Sequence, residues 1–366
     1  MISDERRRTL ACGLTGTFLL CLAAPVLAQD PAESIEQSLV KPLAATELVI
    51  DAAQVDGLTV AVGTRGIVLL SEDDGESWRQ VAVPTRAMLT GVDFVDRQHG
   101  WAVGHDAVII RTEDGGETWE RVFHDPERET PLFDVWFDDV DNGIAVGAYG
   151  LLLRSSDGGR TWEESALEIA TAAVVEDAAD GDPAAADEDA DEVAEDDDEE
   201  FWEEDFDGPA DFHFNRIDEA PDGSLLIAAE AGNLYRSVDR GRTWTALDSG
   251  YTGSFFTALT IDDDSVMAVG LRGSVYRSDD GGESFSRVET PVEVLLNEAT
   301  LLPDGRIVVV GMSGTILVSD DQGQSFYLVQ REDRKALTQV IPTGDGVLVF
   351  GEAGPVRLAA AELGRE

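Results

Sequence analysis

An octet of the form Ser/Thr-x-Asp-x-Gly-x-Ser/Thr-Trp/Phe recurs six times in this chain of 366 residues. The copies occupy positions 71–78, 112–119, 155–162, 237–244, 278–285 and 319–326, and their final aromatic residues are spaced by 41, 43, 82, 41 and 41 residues. A second signature, Ala-Val-Gly-x-x-Gly and its variants, occurs seven times, ending at 66, 107, 150, 233, 273, 314 and 354. A fixed period of this length indicates a repeat architecture in which one structural unit is copied along the chain.

Each unit contains four short segments with β-strand character, separated by Asp/Gly turns. In the second unit they are Leu89–Val95, Gly100–Gly104, Ala107–Thr112 and Thr118–Val122. Four strands in about 41 residues make one propeller blade. The sequence therefore predicts an all-β fold, a seven-bladed β-propeller.

The seventh unit stops after its third strand, around Val356–Ala360. Counting one period of 41 residues back from Trp78 reaches Gln37, inside the strand-like segment Ile35–Lys41. We expect this segment to pair as the fourth strand of the last blade, because such pairing removes the open edges of the ring.

The step of 82 residues corresponds to one blade plus an insertion. Glu176–Asp211 contains 20 Asp and Glu residues and no Lys or Arg, a composition that predicts disorder. Phe201, Trp202 and Phe206 lie inside it as a candidate partner-binding motif. A lid that packs on the propeller is the alternative.

The first residues resemble an export signal. Three arginines, at positions 6–8, precede an apolar run from Leu10 to Leu27, and Ala28 ends a small-residue cleavage site. Both cysteines, Cys12 and Cys21, fall inside this segment, so the mature chain would have none. We expect a periplasmic or secreted protein that is exported by the general or the twin-arginine route. The predicted division is a signal peptide at 1–28, blades one to three with the closing strand at 29–164, the acidic insertion at 165–211 and blades four to seven at 212–366.

Acidic residues outnumber basic ones by 74 to 26, which gives a formal net charge of −48. Such a field repels phosphate backbones and anionic lipid headgroups. We therefore expect no direct binding of nucleic acid or lipid. We also expect a monomer.

The octet is the Asp-box of BNR-type repeats, and its residue types point to a structural role. Ser/Thr and Asp side chains hydrogen-bond turn amides, Gly permits a positive φ angle, and the aromatic ring packs between blades. The spacing does not match a calcium loop. The structural aspartates are Asp73, Asp114, Asp157, Asp239, Asp280 and Asp321.

Ligands of propellers usually meet the inner strands, so we aligned these strands between repeats. One row comprises Leu48, Leu89, Leu132, Phe214, Phe256, Leu296 and Leu337, and the channel-facing row two residues later comprises Ile50, Gly91, Asp134, Arg216, Ala258, Glu298 and Gln339. Asp134, Arg216, Glu298 and Gln339 are the candidate contacts for a channel ligand or partner. The simplest interpretation is a salt bridge between Arg216 and Asp134.

The pattern does not favour catalysis. A sialidase needs three arginines and a tyrosine nucleophile, whereas only Arg216 occupies the row. Asp134 and Glu298 fall on blades three and six, too far apart for a glycosidase pair. The four histidines lack metal-ligand spacing. We therefore predict no enzyme activity, no cofactor and no metal; a carbohydrate-active hydrolase (sialidase- or glycosidase-like) and a receptor-like ligand-binding module are the alternatives.

The inner strand, Gly-Trp-Ala-Val-Gly turn and Asp-box within Val92–Trp119 resemble the photosystem II stability and assembly factor family. The resemblance extends over Leu39–Ala360, apart from the acidic insertion. It implies a non-enzymatic lumenal or periplasmic propeller that holds a membrane protein or an assembly intermediate, with an arginine-rich face expected to contact the partner. Relatives in non-photosynthetic bacteria, some associated with membrane exporters, extend the possible clients from photosystems to exporters. This chain has no arginine cluster in its sequence.

Overall fold

A computed structural model describes residues 36–170 and 212–364. Its strands form seven antiparallel sheets, and within each sheet the strands follow one another in chain order. The fold is the predicted seven-bladed all-β propeller.

The first three blades contain β1 to β12. Their bounds are Val49–Val55, Leu58–Gly63, Ile67–Ser71 and Arg79–Val81 in blade one, Leu89–Phe94, Gly100–Gly104, Ile109–Thr112 and Glu120–Phe123 in blade two, and Leu132–Phe137, Gly143–Gly147, Leu152–Ser155 and Glu163–Glu164 in blade three.

Blades four to seven contain β13 to β27. Their bounds are Phe214–Glu219, Leu225–Ala229, Asn233–Ser237 and Thr245–Asp248 in blade four, Phe255–Thr260, Val266–Gly270, Val275–Ser278 and Ser286–Val288 in blade five, Leu296–Leu301, Ile307–Gly311, Thr315–Ser319 and Tyr327–Gln330 in blade six, and Leu337–Thr343, Gly346–Gly351 and Val356–Ala359 in blade seven.

Short 3-10 turns join the second and third strands of blades one to six. They are Thr64–Gly66, His105–Ala107, Ala148–Gly150, Glu230–Gly232, Leu271–Gly273 and Met312–Gly314, and further 3-10 turns occupy Ala44–Thr46, Pro126–Arg128 and Ala360–Leu363. In the described parts of the chain, no helix is long and apolar enough to cross a membrane.

The core lies between neighbouring blades, because the second strand of each sheet is covered on both faces. Every residue of Leu58–Gly63, Gly143–Gly147 and Ile307–Gly311 is buried. The Ala-Val-Gly signature forms the end of this strand. A Cβ atom added at Gly104 would lie 2.0 Å from the carbonyl oxygen of Met88, so close strand packing excludes a side chain there.

The predicted ring closure is wrong over Glu36–Lys41, and Ile35 lies outside the described residues. This segment lies along blade one instead: Ser38 N donates to Val83 O at 2.8 Å, and Lys41 N donates to Gln80 Oε1 at 2.7 Å. Blade seven has three strands in the described chain. Its last strand leads into the 3-10 turn Ala360–Leu363, where buried Leu363 packs in the core cluster between blades six and seven. Repeat spacing predicted the position of a strand-like segment but not its pairing partner.

Blade seven meets blade one without exchanging a strand in the described chain. Thr338 Oγ1 donates to Val49 O at 2.8 Å, and Gln339 Nε2 donates to Asp51 Oδ1 at 2.6 Å. Apolar residues of both blades, including Val49, Ile67 and Phe350, form one core cluster across this junction. Side-chain contacts therefore close the ring.

The chain leaves blade three later than predicted. Residues 165–170, assigned from sequence to the insertion, are described: Leu167 is buried, Trp244 N donates to Glu168 O at 2.8 Å, and Ala170 N donates to Trp244 O at 2.8 Å. The signal-peptide prediction and the motif of Phe201, Trp202 and Phe206 lie outside the described residues.

Candidate functional site

A register shift occurs in the inner strand of every blade and determines which residues face the channel. Its buried first row comprises Val49, Leu89, Leu132, Phe214, Phe255, Leu296 and Leu337, and the row after the shift comprises Asp51, Gly91, Asp134, Arg216, Thr257, Glu298 and Gln339. The sequence alignment was wrong by one residue in blades one and five. It chose Ile50 and Ala258 where the structure has Asp51 and Thr257.

In blade one the first-row residue lies 29 residues before the final aromatic of its Asp-box, one fewer than the 30 residues found in blades two to six, so alignment on the box is displaced by one residue. In blade five the spacing is the usual 30 residues, and the alignment chose the second of two consecutive phenylalanines. A local signal was available. Val49-Ile50-Asp51 repeats the apolar-x-Asp pattern of Leu132-Phe133-Asp134. The corrected row adds an acid and a hydroxyl to the predicted polar residues.

Arg216 is the centre of a polar network in the channel. Its Nε lies 2.9 Å from Glu298 Oε2, and its Nη1 lies 3.2 Å from Asp51 Oδ1. Asp218 Oδ1, from the same strand, is 3.4 Å from Nε. The arginine of blade four thus connects acids of blades one and six across the ring.

Asp134 plays a different part from the one predicted. Instead of an ion pair with Arg216, its carboxylate accepts backbone hydrogen bonds from Val135 N at 2.9 Å and Ile217 N at 3.0 Å. Asp51 likewise accepts from Val92 N of blade two, at 2.9 Å. These two channel acids therefore join blade one to the backbone of blade two and blade three to the backbone of blade four.

Thr257 and Gln339 complete the network. Thr257 Oγ1 lies within hydrogen-bonding distance of Glu298 Oε1, at 3.0 Å, and of Asp218 Oδ2, at 3.1 Å. Gln339 Nε2 donates to Asp51 as described above. Three of the four predicted contacts, Arg216, Glu298 and Gln339, thus join one connected network with Asp51 and Thr257.

Burial changes the acidity of these groups. It raises the pKa of Glu298 to about 7, with Asp218 adding to the rise and Arg216 opposing it. Burial also raises the pKa of Asp93 to about 6, against hydrogen bonds from Phe137 and Phe94. The pKa values of Asp134 and Asp218 rise for the same reason. Burial alone would lower the pKa of Arg216. The carboxylates of Glu298, Asp51 and Asp134 outweigh that effect, so the pKa of Arg216 lies above its ordinary value.

A cavity of about 450 Å³ opens beside this network, with Asp93, Asp134, Arg216 and Asp218 in its wall. The carboxyl oxygens nearest to it are already bonded to backbone amides or to Arg216. Among the described residues, no group of three or more His, Cys, Asp or Glu side chains could hold a metal ion. The channel is therefore an internal ion network whose acids have structural partners.

The Asp-box aspartates form a contrasting set at the outer turns. Asp114 Oδ1 accepts from Thr112 Oγ1 at 2.8 Å and from Thr118 N at 2.9 Å, and its Oδ2 accepts from Thr118 Oγ1 at 2.6 Å. Trp119 Nε1 donates to Gly116 O at 3.0 Å. The same bonds recur at Asp73, Asp157, Asp239, Asp280 and Asp321. Each aspartate closes its own turn.

Charge reverses between one group of Asp-boxes and another. At the variable second, fourth and sixth positions, the first box has Glu72, Asp74 and Glu76, whereas the fourth has Val238, Arg240 and Arg242. The third box also replaces acids, with Ser156 and Arg160. With the structural aspartate counted, box three is neutral and box four has a net charge of +1, whereas the other four boxes have net charges of −2 to −4.

The residue that precedes the box is arginine in blades two to five, a feature the sequence analysis missed. Each of these arginines donates to a backbone carbonyl of the next blade's box, for example Arg111 Nη1 to Gly158 O at 3.3 Å and Arg236 Nη1 to Gly281 O at 3.3 Å. Arg154 and Arg277 make the equivalent bonds to Gly241 and Gln322. The sequence signal for these inter-blade bonds is an arginine that recurs directly before the first Ser or Thr of the Asp-box.

Arg154 differs from its counterparts in lacking an acidic partner. Arg111 pairs with Glu113 at 2.9 Å, Arg236 with Asp222 at 3.0 Å and Arg277 with Asp279 at 2.5 Å. In the described chain Arg154 makes no ion pair within 4.0 Å, because Ser156 stands where blade two has Glu113. Burial lowers the pKa of Arg154, the more distant carboxylates of Asp239 and Glu168 oppose that shift, and the group remains a cation.

Arg154 opens onto a groove of about 410 Å³ between blades three and four, which we call the basic groove. Its wall includes Trp136, Ser156, Thr161, Arg240 and Arg242, together with two acids, Asp138 and Glu163, so that with Arg154 three cations face two acids. Arg240 is paired with Glu219 at 2.5 Å and with Asp138 at 3.3 Å, whereas exposed Arg242 makes no ion pair among the described residues. Guanidinium and hydroxyl groups over an indole ring provide donors suited to a carboxylate or another anion. Folding thus brings Arg154, Arg240 and Arg242, which form no cluster in the sequence, to one groove.

The comparisons with known proteins agree with this architecture. Residues 70–168 match the family model "Photosynthesis system II assembly factor YCF48", which confirms the resemblance found in the sequence. No curated protein matches this chain.

Solved propellers superpose over most of the chain at low sequence identity. YCF48 bound to a D1 peptide has 15% identity and a TM-score of 0.61, with 87% of this chain and 94% of that chain covered. YCF48 from Cyanidioschyzon merolae has 17% identity and a TM-score of 0.61, with 87% and 96% covered. The WD40 propeller of Doa1 has 12% identity and a TM-score of 0.59, with 90% and 98% covered. These likenesses establish the fold.

Proposed function

We propose that this chain, a propeller of the photosystem II assembly factor-like BNR type, is an exported, non-catalytic accessory factor for a membrane protein complex. The basic groove is its contact site for an acidic segment of the client. The observation that carries the proposal is the change from acidic to basic residues at Asp-boxes three and four, beside an arginine without a carboxylate partner.

Electrostatics make this site selective. An anionic segment is repelled by most of a surface with net charge −48 and is attracted only where cations exceed acids. Arg154 is held in place by Gly241 O and by Ser165 Oγ, so little side-chain entropy is lost when it binds a carboxylate. Trp136 adds an apolar surface for the stem of an acidic side chain.

The related fold supports a peptide client. One YCF48 structure is described as bound to a D1 peptide, and the family model matches this chain across blades two and three. The sequence features typical of a signal peptide at 1–28 support a periplasmic location. A photosystem subunit and an exporter are the two client classes that the resemblance suggests.

The test is affinity capture from solubilised membranes of the source organism with the wild-type chain and with Arg154→Gln/Arg242→Glu. Arg287→Glu, an exposed arginine on blade five, is the matched control. We expect one membrane protein to be captured by the wild type and the control and to be lost from the double variant. Binding of an acidic peptide from that protein should fall at least tenfold and weaken with salt.

The thermal unfolding curve of the double variant must remain cooperative, which separates lost contact from lost fold. Equal capture by all three proteins would refute the role of the groove. Capture of no membrane protein by the wild type would refute the accessory function itself.

A further inference from the structure

The channel contains more acids than its one arginine can neutralise. Carboxyl groups face Arg216 from blade one at Asp51, blade three at Asp134, blade four at Asp218 and blade six at Glu298. Asp93 of blade two and Glu219 of blade four add negative charge around them. The two remaining blades contribute uncharged Thr257 and Gln339. If every acid were ionised, repulsion would act across the ring between different blades.

Asp51 links this network to the seam, by which we mean the junction of blades one and seven. Its Oδ1 accepts from Gln339 of blade seven at 2.6 Å and lies 3.2 Å from Nη1 of Arg216. Its Oδ2 accepts from Val92 of blade two at 2.9 Å. Because Asp51 and Glu298 share Arg216, the ionisation state of Glu298 alters how strongly the arginine holds Asp51.

The seam is also the junction that lacks a fourth strand on one side in the described chain. As at the other blade junctions of the described chain, no backbone strand pairing crosses it, so the side-chain bonds of Gln339 and Thr338 and the apolar cluster hold it closed. A seam that depends on side chains responds to their charge more than one built from backbone pairing.

We propose that this network is a pH-responsive clasp on the seam, which tightens when the solution is acidified and loosens when it becomes alkaline. Protonation removes repulsion among the excess acids while Arg216 stays charged and keeps its hold on Asp51. The direction follows from the raised pKa values of Glu298 and Asp93: the folded state takes up protons that the unfolded state does not hold until lower pH.

The first test measures hydrogen exchange of the wild-type chain at pH 5.5 and pH 8, corrected for the intrinsic pH dependence of exchange. Protection of Val49–Val55 and Leu337–Thr343 should be at least severalfold greater at pH 5.5, and that of Ile109–Thr112, a third strand remote from the channel, should change less. Equal changes in the three segments, or none at the seam, would overturn the proposal.

The second test compares Glu298→Gln with Asp279→Asn, a control acid that is exposed and outside the channel. The melting temperature of the wild type should rise by about 2–4 °C from pH 8 to pH 5.5. Glu298→Gln should reduce that rise, whereas Asp279→Asn should preserve it. A pH dependence of Glu298→Gln identical to that of the wild type would contradict the clasp, and the exchange measurement stands even if this variant folds poorly.

Discussion

Two sets of aspartates occupy this propeller, and their surroundings give them opposite properties. In the channel, burial raises the pKa of Asp93 to about 6, so the charged form is disfavoured. In the Asp-boxes, hydrogen bonds from the side chain and backbone of Ser77 and from Ser71 lower the pKa of Asp73 to about 2. The Asp-box aspartates stabilise their turns as charged hydrogen-bond acceptors. The channel aspartates join neighbouring blades although burial disfavours their charged form. Residue type alone therefore does not indicate what a carboxylate contributes to a fold.

The two sets respond to pH in opposite directions. The channel acids contribute stability at low pH and lose it as pH rises through about 6 and 7, the pKa values of Asp93 and Glu298. The box aspartates contribute stability at neutral pH and lose it as pH falls through about 2, the pKa of Asp73 and Asp157. We expect the greatest stability in mildly acidic solution, between these ranges.

The largest expected effect is that of Arg216→Met. This change leaves Asp51 and Glu298 buried without their cation, and loss of one partner of a buried ion pair costs about 3–5 kcal/mol. The free energy of unfolding should therefore fall by about 3 kcal/mol or more at pH 8, measured by urea denaturation. The loss should be smaller at pH 5.5, where more of the acids are protonated. An equal loss at both values would show that the packing of Arg216 matters more than its charge.

An Asp-box change should be smaller and should have the opposite pH dependence. Asp114→Ala removes bonds from Thr112 and Thr118 at an outer turn, and we expect a loss of about 1–2 kcal/mol at neutral pH. The pKa of Asp114 is lowered, so the difference from wild type should shrink as pH falls below 3.8, the value of an unperturbed aspartate. Urea denaturation of both proteins at pH 7 and pH 3 measures this difference in the free energy of unfolding. A difference that grows at pH 3 would contradict the assignment.

The smallest effect is expected for Asp134→Asn, which removes a channel charge and keeps an acceptor for Ile217 N. The cost of a weaker hydrogen bond and the gain from removing a buried charge nearly cancel, so the free energy of unfolding at pH 8 should change by less than about 1 kcal/mol. Thermal melts of this variant beside Asp114→Ala provide the comparison. A loss larger than that of Asp114→Ala would mean that Asp134 acts as a charged partner of Arg216 after all.

The repeats predicted the fold class, the number of blades and the approximate strands, because period and turn residues are properties of contiguous sequence. Side-chain register at the channel was less accessible. In blade one the inner strand lies one residue closer to its Asp-box than in blades two to six, which puts Asp51 in the row in place of Ile50, and in blade five two consecutive phenylalanines left the choice between Thr257 and Ala258 open. Arg216 was identified, but its true partners depend on the shape of the closed ring. The basic groove joins Arg154 to Arg240 and Arg242, which are distant in sequence, so folding was needed to reveal it.

The way the ring closes also has a consequence for how such a protein can change over generations. In the described chain each blade is made from one continuous stretch, and no strand from one end completes a sheet at the other. Each blade is therefore one continuous unit, and duplication of its coding segment can add a copy without interrupting the strands of neighbouring blades. Only the residues across each junction must then adapt, and the fourth box shows such a difference, with Arg240 and Arg242 where the first box has Asp74 and Glu76. Modular construction leaves the inter-blade surfaces as the places where new binding properties can arise.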